Sequence, residues 1–275
     1  GMQMALKTCE ENSIDAIVAI GGDGTFRGAT DLTHHGIPSI GIPCTIDNDI
    51  TATEYTIGFD TAMNTVLGMV DALRETCESH NRANVIEVMG RDCGLIALYS
   101  GIATGALAIA IPEVPFDEDF AISKLVAARK QGKRGLIAIV SEGMPSVRDR
   151  KYSEYFSDQI VARTDIETRF ARCGHIIRGG APTLRDRLIA TEMGYDAVAN
   201  LIAGKSNQVM CVIDGKVQPV EINFALILDR MYKGKLKDGD LDSFTAEQIE
   251  SMRQTCAIRK RHIEKLYQAA IDISY

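Results

Sequence analysis

Apolar positions follow two alternating rhythms along this chain. Short, mainly apolar runs at residues 14–20 and 37–42 each stop at a turn signal, Gly21-Gly22 after the first and Pro43 after the second. Short runs without polar alternation predict strands buried on both faces. From residue 59 the period changes. Ala62, Met63, Val66, Met69, Val70 and Leu73 recur three and four apart, which predicts a helix with one buried stripe. Residues 84–89, 106–111 and 135–141 are further strand candidates. Between the last two, residues 117–130 read as a helix whose early acidic residues suit the positive end of its dipole. Residues 186–203 predict another helix. Two strands, 208–213 and 216–222, then flank Asp214-Gly215, a two-residue hairpin signal, and residues 245–273 are helical in pattern. The polar stretch 145–158 is the best candidate for a mobile surface loop. Alternation of this kind predicts an α/β fold of βαβ units, with mostly parallel sheets and helices on both faces.

Composition narrows the class. The 275 residues are 45% hydrophobic and 24% charged, which is ordinary for a globular chain and leaves room for one large domain or two small ones. No segment approaches the ~18 uninterrupted apolar residues of a membrane span. A formal net charge of −7 argues against a general nucleic-acid binder. The seven cysteines are scattered and form no Cys-x-x-Cys pair, so free thiols in a reducing cytoplasm are expected. Gly1 ahead of Met2 reads either as a scar of tag cleavage or as a cut from a longer chain.

Two segments carry chemistry. Gly21-Gly22-Asp23-Gly24-Thr25 stands where a buried strand meets a helix. Glycines let a phosphate approach the backbone there, and the helix N-terminus offers free N–H groups. Asp23 suits Mg²⁺, which takes carboxylate and shared phosphate oxygens. A tight turn without a ligand is the alternative, and the same five residues occur in NAD kinases and lipid kinases. The second segment, Thr45-Ile46-Asp47-Asn48-Asp49, follows the next strand end, where open parallel sheets bind ligands. Two carboxylates two positions apart can divide metal binding and proton removal. An Asx-rich turn explains that segment taken alone, and the neighbouring glycine loop tips the balance toward chemistry.

Residues 43–50, Met89-Gly90-Arg91, Ser141-Glu142-Gly143 and Gly174-His175-Ile176-Ile177-Arg178-Gly179-Gly180 stand in the order and spacing of the phosphofructokinase family. The chain resembles that family from its first strand to near its C-terminus. The resemblance implies two Rossmann-like three-layer lobes with mostly parallel sheets, the first incomplete at its N-terminus. Residues 1–58 plus 177–230 would form a nucleotide and Mg²⁺ lobe, and 59–176 plus 231–275 a fructose 6-phosphate lobe. It also implies γ-phosphoryl transfer from ATP to the 1-hydroxyl of fructose 6-phosphate, a glycolytic reaction that leaves ADP. In that scheme Asp47 is the general base and Thr45 positions the phosphoryl group. Arg91 joins them in catalysis. Gly22, Asp23, Gly24 and Thr25 bind the nucleotide, with Asp23 and Asp49 toward the metal. Arg82, Arg169, His175 and Arg178 match the 6-phosphate ligands, with Arg82 and Arg169 expected to reach in from a neighbouring subunit. Met89, Gly90 and Arg91 resemble the segment lining the sugar, and Glu142 the carboxylate accepting its hydroxyls. Without the resemblance, Arg169, Arg172, His175 and Arg178 read as a solvated basic stripe.

Family members imply a cytoplasmic, allosteric homotetramer that binds neither nucleic acid nor membrane. Arg74, Glu113 and Lys133 match parts of an effector site in which Gln131 replaces a lysine. Gly24 favours ATP as donor, since pyrophosphate users carry Asp there. Cys44 matches neither the Gly of ATP users nor the Lys of pyrophosphate users. The motif register implies that roughly the first quarter of a family subunit is absent, so a fragment with an open sheet edge is expected. A pyrophosphate-dependent phosphotransferase and a non-catalytic sugar-phosphate-binding subunit are the alternatives.

Overall fold

The computed structural model describes residues 1–273. Its contacts divide the chain into two compact units, 1–58 with 183–259 and 59–182 with 260–275. The expected boundaries at 177 and 230 thus differ from those observed. The short 3₁₀ turn Gly174–Arg178 and the residues to Pro182 group with the second unit, and the long last helix is divided at Arg259.

In the first unit, helix α1 (Met2–Glu11) precedes strand β1 (Ile17–Gly21), helix α2 (Asp23–His34) and strand β2 (Ser39–Pro43). After the chain returns come α7 (Leu184–Ile202), β7 (Gln208–Ile213), β8 (Lys216–Glu221), α8 (Ile222–Tyr232) and the start of α9 (Ala246–Ile273). The sheet order is β1-β2-β7-β8, parallel except for the β7–β8 hairpin that Asp214-Gly215 turns, both with positive φ. Phe26 of α2 packs with Val209, Cys211, Leu228, Met252 and Cys256 over one face. Gly41 makes this possible, because a Cβ there would stand 2.7 Å from the Phe26 ring. β1 is an edge strand with Ile20 62% exposed, and α7 shows Leu184, Leu188, Tyr195, Val198 and Ile202 to solvent.

The second unit holds α3 (Phe59–His80), β3 (Ala83–Val88), α4 (Leu95–Thr104), β4 (Ala108–Ala110), α5 (Glu118–Lys130), β5 (Leu136–Ser141), α6 (Tyr152–Arg163) and β6 (Thr168–Arg172). Its sheet, β4-β5-β3-β6, is wholly parallel, and β3 and β5 are buried at every position. Val85, Ala138 and Val140 pack with Leu125 of α5 and Phe156 of α6. The other face meets α3 and α4, where Gly101 lets Ile109 approach to 2.6 Å of its absent Cβ. Asp117 caps α5 by accepting from the Phe120 N–H at 2.9 Å.

The structure corrects one expectation of mobility. Residues 152–158, read as loop, lie in helix α6, with Ser153, Phe156, Ser157 and Ile160 buried along one stripe. The aromatic pair Phe116 and Tyr152 closes around Phe156.

Candidate active site

The glycine loop forms the N-terminus of α2. Gly22 is the N-cap, and the first intrahelical bond runs from the Phe26 N–H to the Gly22 carbonyl at 3.1 Å. The amides of Asp23, Gly24 and Thr25 therefore precede the helix ladder and would offer an anion partial positive charge. Gly21 cannot carry a side chain, since a Cβ would sit 2.2 Å from Thr25 Oγ1. At Gly22 and Gly24 a Cβ would meet nothing within 4 Å, so these positions border open space. Asp23 is part-exposed and accepts from Arg27 at 2.8 Å, one turn on.

Strand β2 lies beside β1, and the Cys44 N–H donates to the Gly21 carbonyl at 2.9 Å. The Thr45–Asp49 segment consequently starts next to the glycine loop. Asp47 is buried. Its backbone N–H donates to Thr45 Oγ1 at 3.2 Å, and the Thr45 hydroxyl donates to Asp47 Oδ2 at 3.4 Å. Asn48 takes a left-handed φ of 49°, accommodated by an Asn, and its amide donates to the Glu54 carbonyl. Thr56 closes the turn by donating to the Thr45 carbonyl at 2.6 Å.

The donor chemistry at α2 fits Mg²⁺, which needs only one or two carboxylates beside phosphate and water oxygens. Asp23 could hold it. Asp49, expected toward the metal, has Lys233 at 3.4 Å from its Oδ2, and Lys233 also pairs with Asp229 at 2.8 Å. Asp229 in turn accepts from the Thr51 hydroxyl at 2.8 Å, so Asp49 tethers the turn to α8. Among the described residues no group of three or more His, Cys, Asp and Glu could hold a metal by itself. Burial, then Asp186, pushes the Cys44 thiol up, leaving it neutral.

In the second unit three parallel neighbours, β5, β3 and β6, deliver residues at one end of the strands. Val88 lies opposite Ser141 and Glu87 opposite Arg172, so Met89-Gly90-Arg91, Glu142 and the turn holding His175 and Arg178 leave the same side. Glu142 Oε1 accepts the N–H groups of Gly90 at 3.1 Å and Arg91 at 3.0 Å. Gly90 has φ 146° and Arg91 φ 51°. A Cβ on Gly143 would stand 2.1 Å from the Arg91 carbonyl oxygen. Met89 is buried, whereas Arg91, His175 and Arg178 are exposed.

Arg82 and Arg169 lie elsewhere. Arg82 precedes β3, and Arg169 pairs with Asn84 near the start of that strand. Both face Glu167, at 3.9 and 2.7 Å. Six strand residues separate this end from Glu142 and His175, about 20 Å at the usual rise. Within one chain the expected phosphate ligands thus form two groups at opposite ends of the strands.

Sequence reasoning missed Glu87 and its partners. This buried carboxylate accepts from Arg172 Nε at 2.7 Å and from the Ser153 hydroxyl, and Arg172 reaches Glu154 at 2.9 Å. Arg172 is thus a part-exposed cation engaged by the two carboxylates of Glu87 and Glu154. Arg74 donates to the carbonyls of Thr104 and Gly135, and Glu113 accepts from the Gly94 N–H at 2.7 Å. These two expected effector residues cap and brace α4.

Anion-binding amides beside a buried carboxylate in one lobe, and a carboxylate-held cationic turn in the other, equip an α/β phosphotransferase. The chain belongs to the Phosphofructokinase family, whose sequence model matches residues 1–201. It is 44% identical over 239 residues to an ATP-dependent 6-phosphofructokinase of Clostridium botulinum, covering 86% of this chain and 73% of that one. Its identity to the ATP-dependent 6-phosphofructokinase of Brevibacillus brevis is 45% over 226 residues, or 82% and 69% of the two chains. The fold superposes on phosphofructokinase from Saccharomyces cerevisiae with a TM-score of 0.82 and 27% identity, spanning 99% of this chain and 39% of the yeast chain. A pyrophosphate-dependent phosphofructokinase from Marinobacter aquaeolei shares the fold with a TM-score of 0.66 at 21% identity, over 80% of this chain and 62% of that one.

Proposed function

We infer that this chain carries out transfer of the γ-phosphoryl group of ATP to the 1-hydroxyl of fructose 6-phosphate, yielding fructose 1,6-bisphosphate and ADP. The observation that carries this reading is the buried Asp47, held by Thr45 one strand away from the amides of α2. Buried carboxylates within reach of a phosphate site suit proton removal from an attacking hydroxyl. The free amides of residues 23–25 hold the donor's phosphates, and Asp23 holds Mg²⁺, which when bound neutralises phosphate charge. Thr45 keeps Asp47 oriented. In the other lobe Glu142 accepts sugar hydroxyls with the oxygen that does not hold Gly90 and Arg91. Arg91, His175 and Arg178 supply positive charge toward the sugar phosphate, and Met89 lines the sugar.

Arg82 and Arg169, at the far end of the strands, serve the site of a neighbouring copy in a homo-oligomer, which makes good the separation within one chain. The setting is cytoplasmic glycolysis. Allosteric control through Arg74 and Glu113 requires these residues to leave their present carbonyl and amide partners, whereas Lys133 has the freedom of an exposed side chain. ATP is favoured over pyrophosphate by the open space at Gly24 and by the uncharged Cys44, which offers no cation to a pyrophosphate.

Formation of fructose 1,6-bisphosphate from ATP, Mg²⁺ and fructose 6-phosphate tests this reading, with pyrophosphate replacing ATP in a parallel arm. Asp47→Ser should lower turnover about 10²–10⁴-fold while calorimetric binding of the sugar phosphate persists. Near-wild-type turnover in that variant removes Asp47 from the base role. Binding without turnover in the unmutated protein supports a non-catalytic subunit instead.

A further inference from the structure

The turn that carries Asp47 is irregular backbone. Between β2 and α3 an isolated bridge from Cys44 to Ile57, the Glu54 N–H donated to the Val212 carbonyl of β7 at 2.9 Å and the Val212 N–H donated to Thr53 Oγ1 at 2.9 Å relate it to the sheet, and Ile50, Thr51, Ala52, Thr53 and Tyr55 are all buried. Buried carbonyls need donors, and here side chains must provide many of them. Arg259, on α9 and beyond the residues matched by the family, provides three. Its Nη2 donates to the Asn48 carbonyl at 2.5 Å. Its Nη1 donates to the carbonyls of Thr53 at 2.9 Å and Ile50 at 3.3 Å. The guanidinium also lies 5.8 Å from the centre of the Tyr232 ring.

We propose that Arg259 is a positioning residue for catalysis, fixing the 48–53 turn and with it the orientation of Asp47. The inference rests on the reading of Asp47 as general base. Asn48 follows Asp47 directly and sits at φ 49°, so the direction of its carbonyl and the setting of the Asp47 carboxylate are linked through one peptide. A planar guanidinium can serve three carbonyls arranged around it, whereas an ammonium on a flexible stem keeps the charge but loses the fork. Thr56 holds the start of the turn at the Thr45 carbonyl, and Arg259 holds its far side. Small displacements of a catalytic group have large kinetic effects, about 10²-fold for 1 Å.

The test is steady-state kinetics on the assembled enzyme with Arg259→Lys and Arg259→Ala, with rates expressed per natively folded molecule. Both variants should lose about 10- to 100-fold in kcat while KM for fructose 6-phosphate stays within about twofold. A kcat loss below tenfold in Arg259→Lys, or equal changes in kcat and KM, overturns the proposal. Should Arg259→Ala fail to fold, Arg259→Lys decides alone. Asp47→Asn in the same series separates the two claims. Turnover surviving in Asp47→Asn strikes the general-base reading, whereas an inactive Asp47→Asn beside an unaffected Arg259→Lys strikes only the positioning role.

Discussion

Glu142 holds the backbone N–H of Arg91 at 3.0 Å with the same oxygen that takes the Gly90 N–H, across the gap between two adjacent parallel strands. One carboxylate oxygen thus serves the turn, and on the proposed function the other accepts the sugar, so two substitutions can separate these tasks. Glu142→Gln keeps an acceptor for the two amides but replaces the second with a donor. It should raise KM for fructose 6-phosphate about tenfold, the worth of one charge-assisted hydrogen bond, without shifting Tm. Glu142→Ala removes both acceptors and should also cost about 1–3 kcal/mol of stability in denaturant titrations. Equal effects of the two variants on both Tm and KM would contradict this division.

Gly41 and Phe26 set how closely α2 approaches β2, and hence where Asp23 stands. Gly41→Ala places a methyl 2.7 Å from the Phe26 ring, inside contact distance. Overpacking of this kind typically costs about 1–3 kcal/mol. Chemical denaturation should show that loss, together with weaker apparent Mg²⁺·ATP affinity as the helix N-terminus shifts. Adding Phe26→Leu to Gly41→Ala should restore part of the stability, because the clash is with the ring edge. No recovery in the double variant would place the strain elsewhere.

Arg172 is the only described salt-bridge partner of the buried Glu87, and Glu87 lies inside a central strand. Arg172→Ala leaves a buried carboxylate without its cation, a loss of about 3 kcal/mol for a broken buried pair. Fructose 6-phosphate KM should remain near wild type, since the guanidinium is engaged with Glu87 and Glu154. Replacing both residues by neutral partners, Glu87→Gln with Arg172→Met, should recover much of the stability. A large rise in KM with unchanged Tm would instead assign Arg172 to the phosphate-binding group.

Legibility in the sequence followed the physics of each element. Strands buried on both faces, such as β3 and β5, announce themselves as apolar runs, and Asp214-Gly215 marks its hairpin by the positive φ both residues take. Helix α4 escaped because Leu95–Thr104 is apolar nearly all round and shows no stripe. Helix α6 escaped because Ser153 and Ser157 fill buried helix positions with polar side chains. At the candidate site, the motifs singled out Asp23, Asp47 and Glu142. They could not show that Asp49 is tied to Lys233, that Arg74 braces α4, or that Arg259 grips the 48–53 turn. Those pairs join residues from about 30 to more than 200 positions apart, and only tertiary packing determines them.

Alkaline sensitivity follows from two buried thiols. Burial pushes Cys211 up to about 12, and burial together with the nearby Glu87 pushes Cys173 up to about 11. In the unfolded chain both titrate near the ordinary thiol value of about 8.5. Above pH 9 the unfolded chain therefore releases protons that the folded chain retains. Fewer protons on the unfolded state means that stability falls as pH rises, by at most about 1.4 kcal/mol per pH unit for each thiol. The stabilising difference is complete below about pH 8.5 and is lost progressively toward pH 11–12. Thermal unfolding at pH 8, 9, 10 and 10.5 should show this decline in the wild-type protein. Cys211→Ala creates a small cavity and lowers Tm at pH 8, but it removes one of the titrating thiols. Its Tm should then fall less steeply between pH 9 and 10.5 than that of the wild type. Parallel slopes for the two proteins would show that Cys211 does not govern the alkaline limb.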